Sequence, residues 1–504
     1  MLEQYFSKFR NHIIGQELTH SVNGLEQKIV YADWTASGRL YQPIEDFVNQ
    51  QLGPYVANTH TETNLTGSTM TQAYHDAQRV IKRHVNANDN DALICAGSGM
   101  TTVVNKLQRM LGLRVPEPFN KSCALADAQK PVVFITHMEH HSNQTTWNAC
   151  DVTVVVLKRN EEGQPCQQDL HAQLLAYSNR PLKIGSFTAC SNVTGIKTDY
   201  HALAKIMHQH GGVCFVDFAC SAPYVSIDMH PADPDAKLDA IFFSPHKFLG
   251  GPGSSGVLIF DKTLYANEVP DQPGGGTVTW TNPWGQQGFY DDVETREDGG
   301  TPGFLQVIRV ALAIKLKDQM GTDKIAAREA ELTQLLMQGM KAIEGVEILE
   351  QDKTNRLCIV SFYVRDLHYN LIVRLLNDKF GIQTRGGCSC AGTYGHILLD
   401  VDKMTSETIT NKIDQGDLTD KPGWVRISLH PTTTNDEARY IVGALEQVVK
   451  NAADWQQEYR FDPLCGDFKP LVNQTRYVSL NAFEPLPELE AKTETQSWLK
   501  RLFR

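Results

Sequence analysis

The sequence predicts an α/β protein: a mostly parallel sheet of seven strands with helices on both faces, then a smaller α+β unit. Three observations carry this. Short apolar runs recur at 92–96, 132–136, 152–157, 183–188, 213–217, 240–244 and 256–260, and strands without polar alternation are those buried on both faces. Helical patterns such as 102–111 and 200–210 separate several of them, which is the repeat of a parallel sheet with crossover helices. Beyond residue 305 long amphipathic stretches replace that repeat.

The seventh run follows the sixth too closely for a helical crossover, so it is expected to be antiparallel. The second unit reads as helices at 305–317 and 325–343, strands at 346–349 and 356–364, a helix at 369–379 and a strand at 424–429. We divide the chain into a large domain, 30–304, a small domain made of 1–29 and 305–459, and an extension, 460–504. The extension holds Pro and acidic residues with weak periodicity and is left unassigned.

The chain has 504 residues, 41% hydrophobic and 21% charged, with a net charge of −11 and no basic block. Nucleic acid and anionic membranes are therefore poor partners. No signal-peptide pattern opens the chain, and no run of about 18 apolar residues could span a bilayer. Eleven cysteines at irregular spacing suggest reduced thiols and a cytoplasmic location rather than a disulfide framework.

Lys247 lies in Ser244-Pro245-His246-Lys247, directly after the sixth run, and Asp217 closes the fifth. A lysine and an acid so placed suit pyridoxal phosphate. The amine forms a Schiff base with the cofactor aldehyde, and the acid keeps the pyridine nitrogen protonated so that the ring can accept electrons. Gly97-Ser98-Gly99-Met100-Thr101-Thr102 follows the first run and opens a helix, a place where amides, hydroxyls and the helix dipole suit a phosphate. It does not match the Gly-x-Gly-x-x-Gly fingerprint of a dinucleotide-binding module. His137, His140 and His141 follow the second run. A histidine there can stack on a flat cofactor and move protons. A zinc site is disfavoured, because the adjacent His140 and His141 diverge. Asn192, in Ser191-Asn192-Val193, could set an amide against a ring hydroxyl.

Taken in order, these motifs resemble the class V aminotransferase fold, type I among pyridoxal-phosphate transferases. The greatest likeness is to group II cysteine desulfurases and selenocysteine lyases. The resemblance runs from about Tyr31 to about residue 450 and includes Gly274-Gly275-Gly276-Thr277 and Gly300-Thr301-Pro302. It implies that Lys247 is the Schiff-base lysine, Asp217 the partner of the pyridine nitrogen and His140 the stacking residue. Asn192 would lie near the ring hydroxyl. Met100, Thr101, Ser244 and His246 would hold the phosphate, and Thr277 that of a neighbouring subunit, making a homodimer with shared sites. Arg426 would bind a substrate carboxylate.

Thr384-Arg385-Gly386-Gly387-Cys388-Ser389-Cys390-Ala391 discriminates within the family. Group II desulfurases carry Arg-x-Gly-x-x-Cys-Ala here, and the cysteine takes sulfur as a persulfide. Cys390 falls on that position and Cys388 is secondary. The segment is also similar to that of molybdenum cofactor sulfurases, which continue into a further domain. Three departures stand out. Cys388 and Ser389 replace the double histidine that precedes the cysteine in desulfurases. Cys220 replaces the usual glutamine of Asp-x-Ala-Gln, and there are insertions at about 112–130 and 400–421. The expected activity is C–S cleavage of L-cysteine or a close analogue such as selenocysteine, with a possible sulfur-acceptor protein. The alternative is a class V aminotransferase or epimerase in which Cys390 has no role.

Overall fold

The computed structural model describes residues 1–22, 25–59, 61–119, 125–472 and 478–483. Seven strands form its large sheet: β1 (Asp91–Ala96), β2 (Val132–Ile135), β3 (Thr153–Val156), β4 (Lys183–Thr188), β5 (Val213–Asp217), β6 (Ala240–Phe243) and β7 (Gly256–Asp261). Their order is β1-β7-β6-β5-β4-β2-β3. β2 to β6 are parallel to their neighbours within that set. β7 runs antiparallel to both β6 and β1, as its short connection requires.

Successive strand residues point to opposite faces, and both faces are apolar. Leu93, Phe134, Val216 and Ile241 pack under the helices Leu65–His84, Tyr200–Gln209 and Phe304–Met320. Ala92, Ile135, Phe215 and Phe242 pack against Met100–Met110 and Trp147. The continuous apolar runs in the sequence thus reflect a sheet covered on two sides.

The second sheet has four antiparallel strands: β8 (Val346–Ile348), β9 (Ile359–Val364), β10 (Arg385–Gly387) and β11 (Trp424–Ser428), in the order β8-β9-β11-β10. Helices Thr322–Lys341, Tyr369–Phe380 and Asn435–Trp455 share its core. Thr434 and Glu437 form a reciprocal capping box at the start of the last helix, which satisfies two otherwise orphaned amides. The N-terminal helix Leu2–Arg10 packs on this side, with Arg10 paired to Glu437.

Two stretches left without structure from sequence turn out to be ordered. The 400–421 insertion contains the helix Lys403–Asp414. The extension begins with a hairpin, Tyr459–Asp462 paired with Asp467–Pro470. Phe461 and Phe468 of this hairpin flank His368, so its periodicity is that of a two-stranded ribbon held by one aromatic cluster. Part of the 112–130 insertion, residues 120–124, lies outside the described residues, as does most of the extension. Among the described residues no helix is long and apolar enough to cross a membrane.

Candidate active site

The carboxyl ends of the parallel strands meet the second sheet in a cavity of about 290 Å³. In open α/β sheets this edge is where ligands bind. A larger cleft of about 970 Å³ lies behind Ala189 and Ser221. Its walls contain neither Lys247 nor Asp217, so the smaller cavity is the one with chemistry.

Asp217, Ser244, His246 and Lys247 reach the smaller cavity from strand ends. β5 stops at Asp217, and β6 is followed by Ser244 and the turn Pro245–Lys247. The Lys247 turn is braced by Gly38, whose amide donates to the His246 carbonyl at 2.9 Å. A Cβ on Gly38 would sit 1.9 Å from the Phe248 carbonyl oxygen, so only glycine allows this approach. Gly97 takes φ +56° after β1, a left-handed value suited to glycine. The chain then enters the helix Met100–Met110 with Gly99 as its first cap.

At that helix start the Met100 amide donates to Ser244 Oγ at 2.9 Å, and His246 Nδ1 is 2.8 Å from the Ser98 carbonyl. Thr101 Oγ1 is 2.7 Å from Ser142 Oγ. A group of hydroxyls therefore surrounds the open end of the helix, where the dipole favours an anion.

His140 caps the helix His141–Asn148, its Nδ1 accepting from the Ser142 amide at 3.1 Å. The neutral ring then carries its proton on Nε2. Burial, and next the Lys247 charge, push the His140 pKa down to about 3, so the ring stays neutral at working pH. Glu139, just before it, is fully enclosed. Burial raises its pKa to about 8, and its carboxyl oxygens accept from the Thr136 amide and hydroxyl, the Thr188 amide and Asn143 Nδ2, tying β2, β4 and the histidine segment together.

Burial drives Lys247 and Asp217 towards neutrality from opposite sides. It lowers the pKa of Lys247 and raises that of Asp217 to about 6, against the Ala219 amide, which donates to Oδ1 at 2.7 Å. Arg426, on β11, is 3% exposed. Its Nη2 is 2.7 Å from Asp33 Oδ1, and its Nη1 donates to the Asn192 carbonyl. Arg385 binds the other Asp33 oxygen at 3.1 Å. One carboxylate thus serves two guanidinium groups and leaves the cavity wall with a surplus of positive charge.

The cavity brings together Met100, Thr101, His140, Asn192, Asp217, Ser244, His246, Lys247, Cys390 and Arg426. Cys390 is exposed at its rim. Cys220 is also in the wall, beside Cys190. Cys388 is not in the lining and packs against the cluster of Met138, Tyr394 and Trp424. Thr277 lies outside the cavity, where its hydroxyl donates to the Gly274 carbonyl at 2.7 Å.

Sequence reasoning missed Asp33, which is 352 and 393 residues from its two arginines. No local pattern marks such a pair. It also missed the side-chain work of Glu139 and the role of His141 as a contact to the Cys390 loop. The only signal for Glu139 was its place before His140.

The chain is 28% identical over 378 residues to a probable cysteine desulfurase of Staphylococcus aureus, covering 74% of this chain and 85% of that protein. A probable cysteine desulfurase of Staphylococcus epidermidis is 29% identical over 376 residues, covering 73% and 85%. The fold of this chain matches that of the apo cysteine desulfurase of Thermococcus onnurineus NA1 with a TM-score of 0.69 at 20% identity, over 88% of this chain and 98% of that one. The cysteine desulfurase CsdA (S-sulfonic acid) of Escherichia coli gives 0.68, also at 20% identity and with the same coverage. The family model for aminotransferase class-V matches residues 30–441, and with most of its length so matched, this chain belongs to the class V aminotransferases, a family that uses pyridoxal phosphate.

Proposed function

We propose that this protein binds pyridoxal phosphate and cleaves the C–S bond of L-cysteine or a close analogue, yielding alanine and a persulfide on Cys390. The observation that carries the reading is that one cavity holds Lys247, Asp217 and Cys390 together.

The residues present fit the cofactor. The hydroxyls and amide at Met100, Thr101 and Ser244 suit a phosphate at a helix start. A Cβ on Gly99 would come within 3.1 Å of Ser244 Oγ and 3.2 Å of the His246 ring, so a glycine here lets the helix start lie close against both. Asn192 Oδ1 is buried without a protein partner, an acceptor available to a ring hydroxyl. Bound there, the cofactor supplies an electron sink for the substrate α carbon.

The chain's own groups do the rest. The Lys247 amine would hold the cofactor and, when free, would be the base that moves the substrate α proton; burial favours its neutral form. Asp217 would hold a proton on the pyridine nitrogen, and His140 would be the residue that stacks on the ring. The surplus charge of Arg426 and Arg385 orients the substrate carboxylate. Cys390 attacks the substrate sulfur as the thiolate and keeps it, while the remaining carbon skeleton gains a proton and leaves as alanine. Amino acid and enzyme thiol thus become alanine and enzyme persulfide with no external oxidant.

The test is alanine release from L-cysteine by the wild type and by Cys390→Ser. We expect the variant to keep its cofactor and lose turnover by orders of magnitude, with Cys388→Ser much less affected. Normal turnover by Cys390→Ser would replace this reading with an aminotransferase or epimerase reaction.

A further inference from the structure

The backbone that carries Cys390 is in an unfavourable form. Ser389 and Cys390 both take left-handed φ values, 50° and 58°, a region that residues with a side chain avoid unless their surroundings impose it. Ser389 Oγ is buried without a partner, and Cys390 is exposed. Neither side chain fixes the loop, so the constraint comes from neighbouring elements.

Asn192 Nδ2 donates to the Ser389 carbonyl at 2.7 Å. His141 makes two bonds. Its amide donates to the Cys390 carbonyl at 2.7 Å, and its Nε2 accepts from the Gly392 amide at 2.9 Å. One turn on, Gln144 Oε1 accepts from Thr393 Oγ1 at 2.9 Å. Residue 392 is a glycine, and a Cβ there would press to 3.1 Å from His141 Nε2. Burial, and then the Lys421 charge, hold the His141 pKa below its ordinary value. The ring therefore keeps the lone pair that Gly392 needs.

We propose that His141 is a positioning residue for Cys390, clamping the thiol-bearing loop to the same helix start that carries His140. The clamp would fix the thiol relative to the ring-facing histidine without touching substrate. The catalytic meaning of this inference rests on the desulfurase reading; the clamp itself does not.

Two variants of the holoenzyme test it. His141→Gln retains an acceptor at similar reach, whereas His141→Leu fills the space without one. In His141→Leu, amide exchange in the peptide 388–395 should rise roughly tenfold, the effect of losing one partly buried hydrogen bond. Its kcat for L-cysteine should fall roughly tenfold with KM little changed, because positioning acts on the chemical step. The visible cofactor spectrum should be unaltered, and His141→Gln should recover both exchange and kcat. Unchanged exchange in His141→Leu, equal impairment of both variants, or loss of the cofactor spectrum would each overturn the proposal. Alanine release by the wild type judges the desulfurase reading separately. An inactive wild type with the expected exchange pattern would refute that reading and leave the clamp standing.

Discussion

Asp217→Asn should make the cofactor-free protein more stable and the enzyme inactive. The carboxyl is 3% exposed and titrates at about 6, where an ordinary aspartate titrates at 3.8, chiefly because burial penalises its charge. A folded-state pKa above the unfolded one means that the folded chain holds the proton more tightly. Stability is then lost as pH rises from about 4 to about 6 and stays lost above it. The difference corresponds to about 3 kcal/mol at pH 8, with the opposing Lys247 charge already counted, and is an upper figure because relaxation around the charge offsets part of it. Asparagine keeps an oxygen for the Ala219 amide and removes the charge. Urea unfolding of cofactor-stripped protein at pH 8 should give the variant a higher midpoint, and the gap should close as pH falls towards 4. The loaded variant should lose cysteine turnover, since its amide cannot hold the pyridinium proton by charge. A variant less stable at pH 8, or a gap independent of pH, would show that burial of this carboxylate is not the dominant cost.

Other outcomes are expected elsewhere. At about pH 6, below the value of about 8 to which burial raises the Glu139 pKa, no buried charge is relieved, and Glu139→Gln should cost about 1–3 kcal/mol in urea unfolding, because an amide nitrogen turns two hydrogens towards either the Thr136 and Thr188 donors or Asn143 Nδ2. Asn143 has no free rotation to relieve this, since its Oδ1 already accepts from Trp147 Nε1 and Ser186 Oγ; an unchanged midpoint would contradict the account. Borohydride treatment should fix the cofactor to the peptide containing Lys247, and labelling at another lysine would remove it from its assigned role. Mixing Lys247→Ala with Thr277→Ala subunits should yield hybrid dimers whose two sites differ in cofactor affinity. A fully active monomer in sedimentation would rule out shared sites.

Much of the site was legible because its residues follow strand ends. Lys247 and Asp217 sit just past buried apolar runs, and a run buried on both faces is visible as sequence. The glycine turn before Met100 was legible as a local signal too, since the positive φ at Gly97 favours glycine. The antiparallel seventh strand followed from chain length alone, because no crossover helix fits between 243 and 256.

Tertiary structure decided what depends on pairing across the chain. The order that sets β1 beside β7 is chosen by mutual burial, which no local period encodes. His140 lines the cavity, whereas the neighbouring His141 does not and reaches the Gly392 amide. Only the fold showed this contact with the Cys390 loop. Asp33 could be given a role only once β10 and β11 had set Arg385 and Arg426 side by side. The sequence by itself determined which chemical groups end each strand, because that is a matter of local burial and turn geometry. Which of those groups share a charge or brace one another was decided by contacts between residues hundreds of positions apart.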